Sequence, residues 1–182
     1  YIYLSLGGSD MDLARIKVSD CSPNGVTLYD LDNVGFPFPD GIVLSRDGRY
    51  LYLSQSGGDK IGVWEIINNT INYRRTVSTG DNPDRAIAIT PDNQYLFIGC
   101  PGSSSDNVSR YTISGDNLIH SGSCGNVNDA RYDLAVTPDN QYLIVLSSSD
   151  DKIYRYSLSY WNSCQRNEIT QGVDSPRGVC IK

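Results

Sequence analysis

Short apolar runs recur along this chain, and each is followed by a stretch in which apolar and polar positions alternate. Alternation with a period of two is the mark of a half-buried strand, and a short unbroken apolar run suits a strand covered on both faces. Three segments align directly: GIVLSRDGRYLYLS from Gly41, AIAITPDNQYLFIG from Ala86 and DLAVTPDNQYLIVL from Asp133. Asp47, Asp92 and Asp139 coincide in that alignment, and Tyr50, Tyr95 and Tyr142 follow each of them. A fourth copy is divided between the ends of the chain. Arg177-Gly178-Val179-Cys180-Ile181-Lys182 matches the apolar run, and Tyr1-Ile2-Tyr3-Leu4-Ser5 matches the alternating stretch.

Each repeat, about 45 residues long, reads as four strands. In the second repeat these are Gly41–Ser45, Tyr50–Ser56, Lys60–Ile67 and Thr70–Ser78, with turns at Arg46-Asp47-Gly48 and Gly57-Gly58-Asp59. The Asp-Gly and Asp-Asn pairs supply the left-handed backbone that tight hairpins need. No long window carries the period of a helix. Four strands per unit at this period predict an all-β fold, a β-propeller of four four-stranded antiparallel blades. The reading gives one domain over 1–182: blade one at 1–34 completed by the C-terminal strand 177–182, blade two at 41–80, blade three at 85–125 and blade four at 130–172. The split blade favours a ring closed within one chain over an eight-bladed ring built from two chains or a segment of a larger propeller.

The repeat resembles a known family. S-R-D-G-R-Y-L-Y-L-S followed by D-K-I-G-V-W-E-I is similar to the YVTN and lactonase-like propeller repeat, with its S-P-D-G-x-x-L-Y-V and N-x-V-S-V-x-D pattern. The two T-P-D-N-Q-Y-L segments and D-K-I-Y-R-Y-S-L carry the same likeness, and Asn82-Pro83-Asp84-Arg85 and Ser175-Pro176-Arg177-Gly178 resemble the N-P-x-G lead into each inner strand. The resemblance implies relatives among surface-layer proteins, redox-cofactor-associated proteins and sugar lactonases. It specifies the blade type far more than the chemistry.

Charge narrows the partners. Fifteen Lys and Arg against twenty-one Asp and Glu leave a net charge of −6, which argues against a nucleic-acid partner. No apolar stretch is long enough to insert in a membrane. The five cysteines have no metal-binding spacing, so no metal and no cofactor is expected. Their positions suggest a Cys100–Cys124 disulfide within blade three and a Cys21–Cys164 link between blades one and four, with Cys180 a buried thiol. Sequons at Asn68 and Asn107, and the rarer Asn162-Ser163-Cys164 form, mark glycosylation candidates. Cysteines and sequons together point to an extracellular or cell-surface location.

No catalytic constellation is visible. The single histidine, His120, falls in an outermost strand, where a solvated ring is expected. Asp47, Asp92 and Asp139 recur once per blade at the same hairpin and read as turn formers. Asp10, Asp59, Asp106, Asp150 and Asp151 occupy the next turn of each blade and read the same way. Ahead of the inner strands stand Asp40, Arg85, Tyr132 and Arg177, with Arg131 and Asp133 beside them. Those positions ring one mouth of the channel, where arginines can grip a carboxylate, phosphate or sugar acid by forked hydrogen bonds. Two functions follow: an extracellular structural or adhesive module that associates with other chains or itself, glycans included among its partners, with a surface layer or filament as its setting; or a lactonase-like enzyme or small-anion or sugar-acid binder using the channel mouth.

Overall fold

The computed structural model describes residues 1–6, 11–19, 22–55, 57–80, 83, 85–101, 107–125, 127, 130 and 133–179. Among them are fifteen strands in four antiparallel sheets, joined by short turns and three 3₁₀ segments. Blade one holds β1 (Ile2–Ser5), β2 (Leu13–Ile16) and β3 (Val26–Tyr29). Blade two holds β4 (Ile42–Leu44), β5 (Tyr50–Gln55), β6 (Lys60–Ile67) and β7 (Thr70–Ser78). Blade three holds β8 (Ile87–Ile89), β9 (Tyr95–Cys100), β10 (Asn107–Ser114) and β11 (Asn117–Cys124). Blade four holds β12 (Leu134–Val136), β13 (Tyr142–Ser147), β14 (Lys152–Ser157) and β15 (Arg166–Ile169). In each blade the strands pair in chain order, the simple meander that four alternating segments with tight turns dictate.

Blade two has the expected strands nearly residue for residue, and blades three and four repeat its four-stranded pattern. Blade one differs in the described part: its sheet has three strands, and Arg177–Val179 lie outside any strand. The completing strand rests on 180–182, outside the described residues. Val179 instead donates its N–H to Asp133 on blade four at 2.8 Å, and Ser175 donates to Asp151 at 2.9 Å. The chain thus crosses blade four from its outer edge toward the axis.

One apolar cluster fills each joint between successive blades. Leu13, Leu31 and Phe36 meet Leu51, Leu53 and Trp64 between blades one and two. Tyr52, Ile61 and Val63 meet Ile87, Leu96, Ile98 and Tyr111 between blades two and three. Ala86, Ala88, Phe97 and Val108 meet Leu134, Leu143, Val145, Tyr154 and Trp161 between blades three and four. Alternation explains this division: Ile87 and Ile89 turn to one neighbour and Ala86 and Ala88 to the other. Burial of such side chains contributes roughly 1.5–3 kcal/mol each, so the joints carry most of the stability. No core cluster joins blade four to blade one among the described residues, so the expected closure within one chain has no counterpart there.

The hairpins between first and second strands are built alike. Asp47 accepts hydrogen bonds from the Ser45 hydroxyl and the Arg49 N–H, Asp92 from the Gln94 N–H, and Asp139 from the Thr137 hydroxyl and the Gln141 N–H. Gly48, Asn93 and Asn140 follow with φ of 72°, 58° and 61°. The expectation that these aspartates form turns is therefore met. The hairpins also touch across joints, since Asn93 Oδ1 accepts the Arg46 N–H at 2.7 Å and Asn140 donates to Asp92 at 2.6 Å.

The disulfide differs from the expectation. Cys124, at the end of β11, is bonded to Cys164 of blade four, with their Cα atoms 5.4 Å apart. Cys100 is buried and stands outside it. Pairing within blade three fails on geometry: Cys100 and Cys124 flank β10, opposite Asn107 and Val108 respectively. Two strand spacings of about 4.8 Å exceed the roughly 7 Å that a disulfide can bridge. Cys164 is free to reach Cys124 because the 3₁₀ segment Leu158–Ser163 turns back over blade three, seating Trp161 edge-on against Phe97 at 4.9 Å. With Cys164 so engaged, the Cys21–Cys164 link is also overturned; Cys21 and Cys180 themselves lie outside the described residues.

Candidate functional site: the mouth of the channel

The segments that lead into the inner strands of blades two to four lie at one end of those strands, where the candidate mouth was expected. Asp40 is held there by its backbone: its N–H donates to Ser54 O at 2.9 Å, and its carbonyl accepts the Ser5 hydroxyl at 3.0 Å. Gly41 follows because a Cβ there would stand 2.5 Å from the Arg85 carbonyl oxygen. That close approach sets the entry of blade two directly against Arg85 of blade three. Arg85 and Arg177 are exposed, and Asp133 is half-buried. The Asp133 carboxylate caps backbone, taking the Leu134 N–H at 2.9 Å on one oxygen and the Val179 N–H on the other. It positions the terminal segment, and Arg177 with it, rather than presenting a spare acid. Arg131 and Tyr132 lie outside the described residues.

Sequence reasoning missed Phe38. Its side chain is 53% exposed, and its φ of 53° is a left-handed conformation that a bulky residue rarely adopts. Asp12 holds it there: this carboxylate is 3% exposed and takes the Leu31 N–H at 2.7 Å and the Phe38 N–H at 2.9 Å. An aromatic ring is thereby turned outward two residues before Asp40. The sequence Phe36-Pro37-Phe38-Pro39 would put both rings on one face of an extended chain, and the left-handed backbone at Phe38 is what separates the buried ring from the exposed one.

Cavities also lie elsewhere. At the opposite end of the inner strands, Leu44, Arg46, Ile89, Thr90, Val136 and Pro138 border an axial cavity of about 420 Å³. On the outer rim, Arg110, Tyr160, Trp161 and Asn162 border a cleft of about 330 Å³. Arg110 donates to Ser121 O at 2.9 Å and Asn162 Oδ1 at 3.3 Å, and lies 4.8 Å from the Tyr95 ring centre. Burial lowers its proton affinity.

The remaining sequence candidates are dispersed. His120 is exposed on β11, with its ring edge-on to Tyr111 and Nε2 3.0 Å from the Ser123 hydroxyl. Asn68 sits at an exposed hairpin tip with φ of 50°, beside Asn69 at 62°. The Asn107 side chain lies outside the described residues. Asp59 and Asp151 occupy turns with φ of 51° and 52°, and Asp150 accepts the Tyr154 hydroxyl at 2.8 Å; Asp10 and Asp106 are outside the described residues. Asp12, Asp30 and Asp32 lie close enough to share a cation, but the Asp12 oxygens are already taken and Asp30 Oδ1 accepts the Asp32 N–H.

Comparison with known proteins matches this architecture. The family model described as Lactonase, 7-bladed beta-propeller, matches residues 4–122, a span that includes Phe38, Asp40 and Arg85. Antigen Lp49 of Leptospira interrogans is 29% identical over 102 residues, covering 46% of this chain and 22% of that protein. Among solved structures, a periplasmic gluconolactonase of Pseudomonas aeruginosa superposes with a TM-score of 0.70 at 15% identity, over 94% of this chain and 51% of the other. A candidate 6-phosphogluconolactonase of Bacteroides fragilis gives 0.66 at 18% identity, over 90% of this chain and 49% of the other. The chain therefore spans about a fifth of that curated relative and about half of these solved propellers. With its repeats, its four blades and a match over more than half its length, this chain belongs to the lactonase family of seven-bladed β-propellers.

Proposed function

We propose that this chain is a sugar-acid or sugar-lactone binding arc of a lactonase-type propeller, acting at the mouth formed by Phe38, Asp40, Arg85 and Arg177. The observation that carries the reading is the family match over residues 4–122, which spans the first three of those residues. The chemistry of the set agrees. A guanidinium recognises a carboxylate or phosphate through paired hydrogen bonds, and an exposed ring covers the apolar face of a sugar. Hydrolysis of a lactone needs a base to take a proton from water as the ring ester opens. Asp40 is assigned that role in this reading from its place at the mouth, two residues after the exposed Phe38 ring and beside Gly41, which lies against the Arg85 backbone. The family match supports this function over the structural or adhesive module expected first. The Cys124–Cys164 bond and the periplasmic relative support a compartment outside the reducing cytosol.

The test is titration calorimetry with gluconate and 6-phosphogluconate, together with acid release from their lactones. Arg85→Ala should weaken binding by about tenfold or more, the usual loss for one charge-assisted contact. Asp40→Asn should retain binding and abolish turnover. Arg46→Ala, at the far end of the channel, should change neither. Absence of both millimolar binding and turnover above the spontaneous rate would remove the proposal.

A further inference from the structure

At the joint between blades three and four, the outer rim holds a cation without a counter-ion. Arg110 stands on β10 opposite Phe97, on the face turned to blade four. It is half-buried, and among the described residues it makes no ion pair. Other arginines are matched: Arg49 and Arg74 share Glu65, Arg75 pairs with Asp116 and Arg166 with Glu168. Arg110 instead lies over two rings, 4.8 Å from the centre of Tyr95 and 5.6 Å from that of Trp161. Its Nε and Nη2 donate to the Ser121 hydroxyl, Ser121 O and Asn162 Oδ1, and Nη1 has no acceptor among the described residues. Taking a guanidinium part-way out of water without an opposite charge is costly, so the arrangement favours an anion from outside the chain.

The cleft beside Arg110 has room for one small ligand. Its volume of about 330 Å³ falls within the range of small-ligand clefts, about 300–1,000 Å³, and no acidic residue borders it. The facing wall is the 3₁₀ segment Leu158–Ser163, which is fixed at both ends. The Leu158 N–H donates to Gln141 O and the Cys164 N–H to Trp161 O, both at 2.9 Å, and the Cys124–Cys164 bond ties the segment to blade three. On this fixed segment Trp161 is buried, while the neighbouring Tyr160 ring is 61% exposed. The buried indole N–H of Trp161 also has no acceptor among the described residues, so the wall offers donors and no competing acid. An exposed ring beside short hydroxyl and amide side chains suits the apolar face and the hydroxyls of a sugar. The unengaged edge of the guanidinium suits a carboxylate carried on it.

We propose that this rim cleft binds an acidic sugar unit, a hexuronic acid ring, with Arg110 holding its carboxylate, Tyr160 covering its apolar face, and Ser159 and Asn162 meeting its hydroxyls. The cleft shares no residue with Phe38, Asp40, Arg85 and Arg177, so it stands or falls apart from the reading given for the mouth. Both blades that form it are present in the arc. The net charge of −6 repels anions at long range, so binding depends on contact with Arg110 and the fixed segment and not on steering.

The experiment uses Trp161 as its own reporter. The chain has two tryptophans, and Trp64 lies in the joint between blades one and two, so Trp64→Phe leaves Trp161 as the one indole. Titration with D-glucuronate should change its fluorescence and saturate at millimolar concentration. Glucose, which lacks the carboxylate, and triglutamate, an acidic peptide without a sugar, should each bind about tenfold more weakly or worse. Arg110→Gln should weaken glucuronate binding by about tenfold or more, and Arg110→Lys should recover only part of it, because a point charge lacks the fork. Tyr160→Ala removes an exposed side chain and leaves the fold intact, and should weaken binding by about threefold or more. Arg85→Ala, at the mouth, should leave the Trp161 response unchanged. An unresponsive Trp161 overturns the proposal, and so does an equal response to glucose or triglutamate, binding that survives both Arg110→Gln and Tyr160→Ala, or a response lost in Arg85→Ala.

Discussion

Reducing the Cys124–Cys164 bond should unfasten blade four before the rest of the arc. The two cysteines are 40 positions apart, and the loop they close contains the inner three strands of blade four. Confining a loop of this length in the unfolded chain is worth about 4 kcal/mol in the chain-entropy treatment. For a chain of this size that corresponds to a fall in Tm of about 8–16 °C, or about 2 M in the urea midpoint at a slope near 2 kcal/mol per molar. Comparing the oxidised chain with the same chain in a phosphine reductant isolates the bond itself. The Cys124→Ala, Cys164→Ala variant adds the loss of a fully buried sulfur and should fall slightly lower. Hydrogen exchange should accelerate first across Leu134–Ile169, while β5 and β6 keep their protection. Identical midpoints with and without reductant, or alkylation of both thiols in the unreduced folded chain, would refute the reasoning.

Acid should loosen the hairpins in a defined direction. The Ser45 hydroxyl and the Arg49 N–H hold the Asp47 carboxyl below its ordinary range, and the Thr137 hydroxyl and the Gln141 N–H do the same for Asp139. A group whose pKa is lower folded than unfolded stabilises fully above its unfolded value, about 3.9, and loses that contribution as pH falls through the folded value. Melting temperature should therefore drop below about pH 4, and the Asp47→Asn, Asp139→Asn double variant should show a shallower drop; equal slopes would dismiss these hairpins as the acid-sensitive element. Gly99→Ala should cost at least about 2 kcal/mol, because the added Cβ would overlap the Ala130 carbonyl oxygen, a backbone atom that cannot swing aside. A urea midpoint matching the wild type would mean that the joint between blades three and four yields more easily than its packing implies.

How much of this was legible beforehand depends on whether the repeat could speak. Positions in register, such as Asp47, Asp92 and Asp139 or Leu51, Leu96 and Leu143, were readable because three copies show the same residue type at the same step, and period-two patterning fixes which face it occupies. The disulfide was not. It joins different blades through the 3₁₀ segment Leu158–Ser163, which has no counterpart in blades two and three, where the third and fourth strands meet in tight turns. Phe38 escaped for a related reason: its outward turn depends on Asp12, 26 positions earlier, and on the left-handed backbone that Asp12 holds. The approach of Gly41 to the Arg85 backbone follows from the repeat, since both stand ahead of inner strands of successive blades. The capping role of Asp133 was not foreseen, because Val179 was read as part of a strand completing blade one and not as a segment held on blade four.

The contacts between neighbouring hairpins have a consequence for how such chains grow. Asn93 accepts the Arg46 N–H of the blade before it, and Asn140 reaches back by donating its amide N–H to Asp92. Blades three and four therefore each carry a coupling to the preceding blade, on the very tripeptide that folds the turn. Duplicating one unit in the gene duplicates the coupling with it, and deleting one removes no contact that the survivors lack. Blade number is then a quantity that recombination can change in whole steps, while the distant hairpins, such as Asn68–Asn69, vary without disturbing the count.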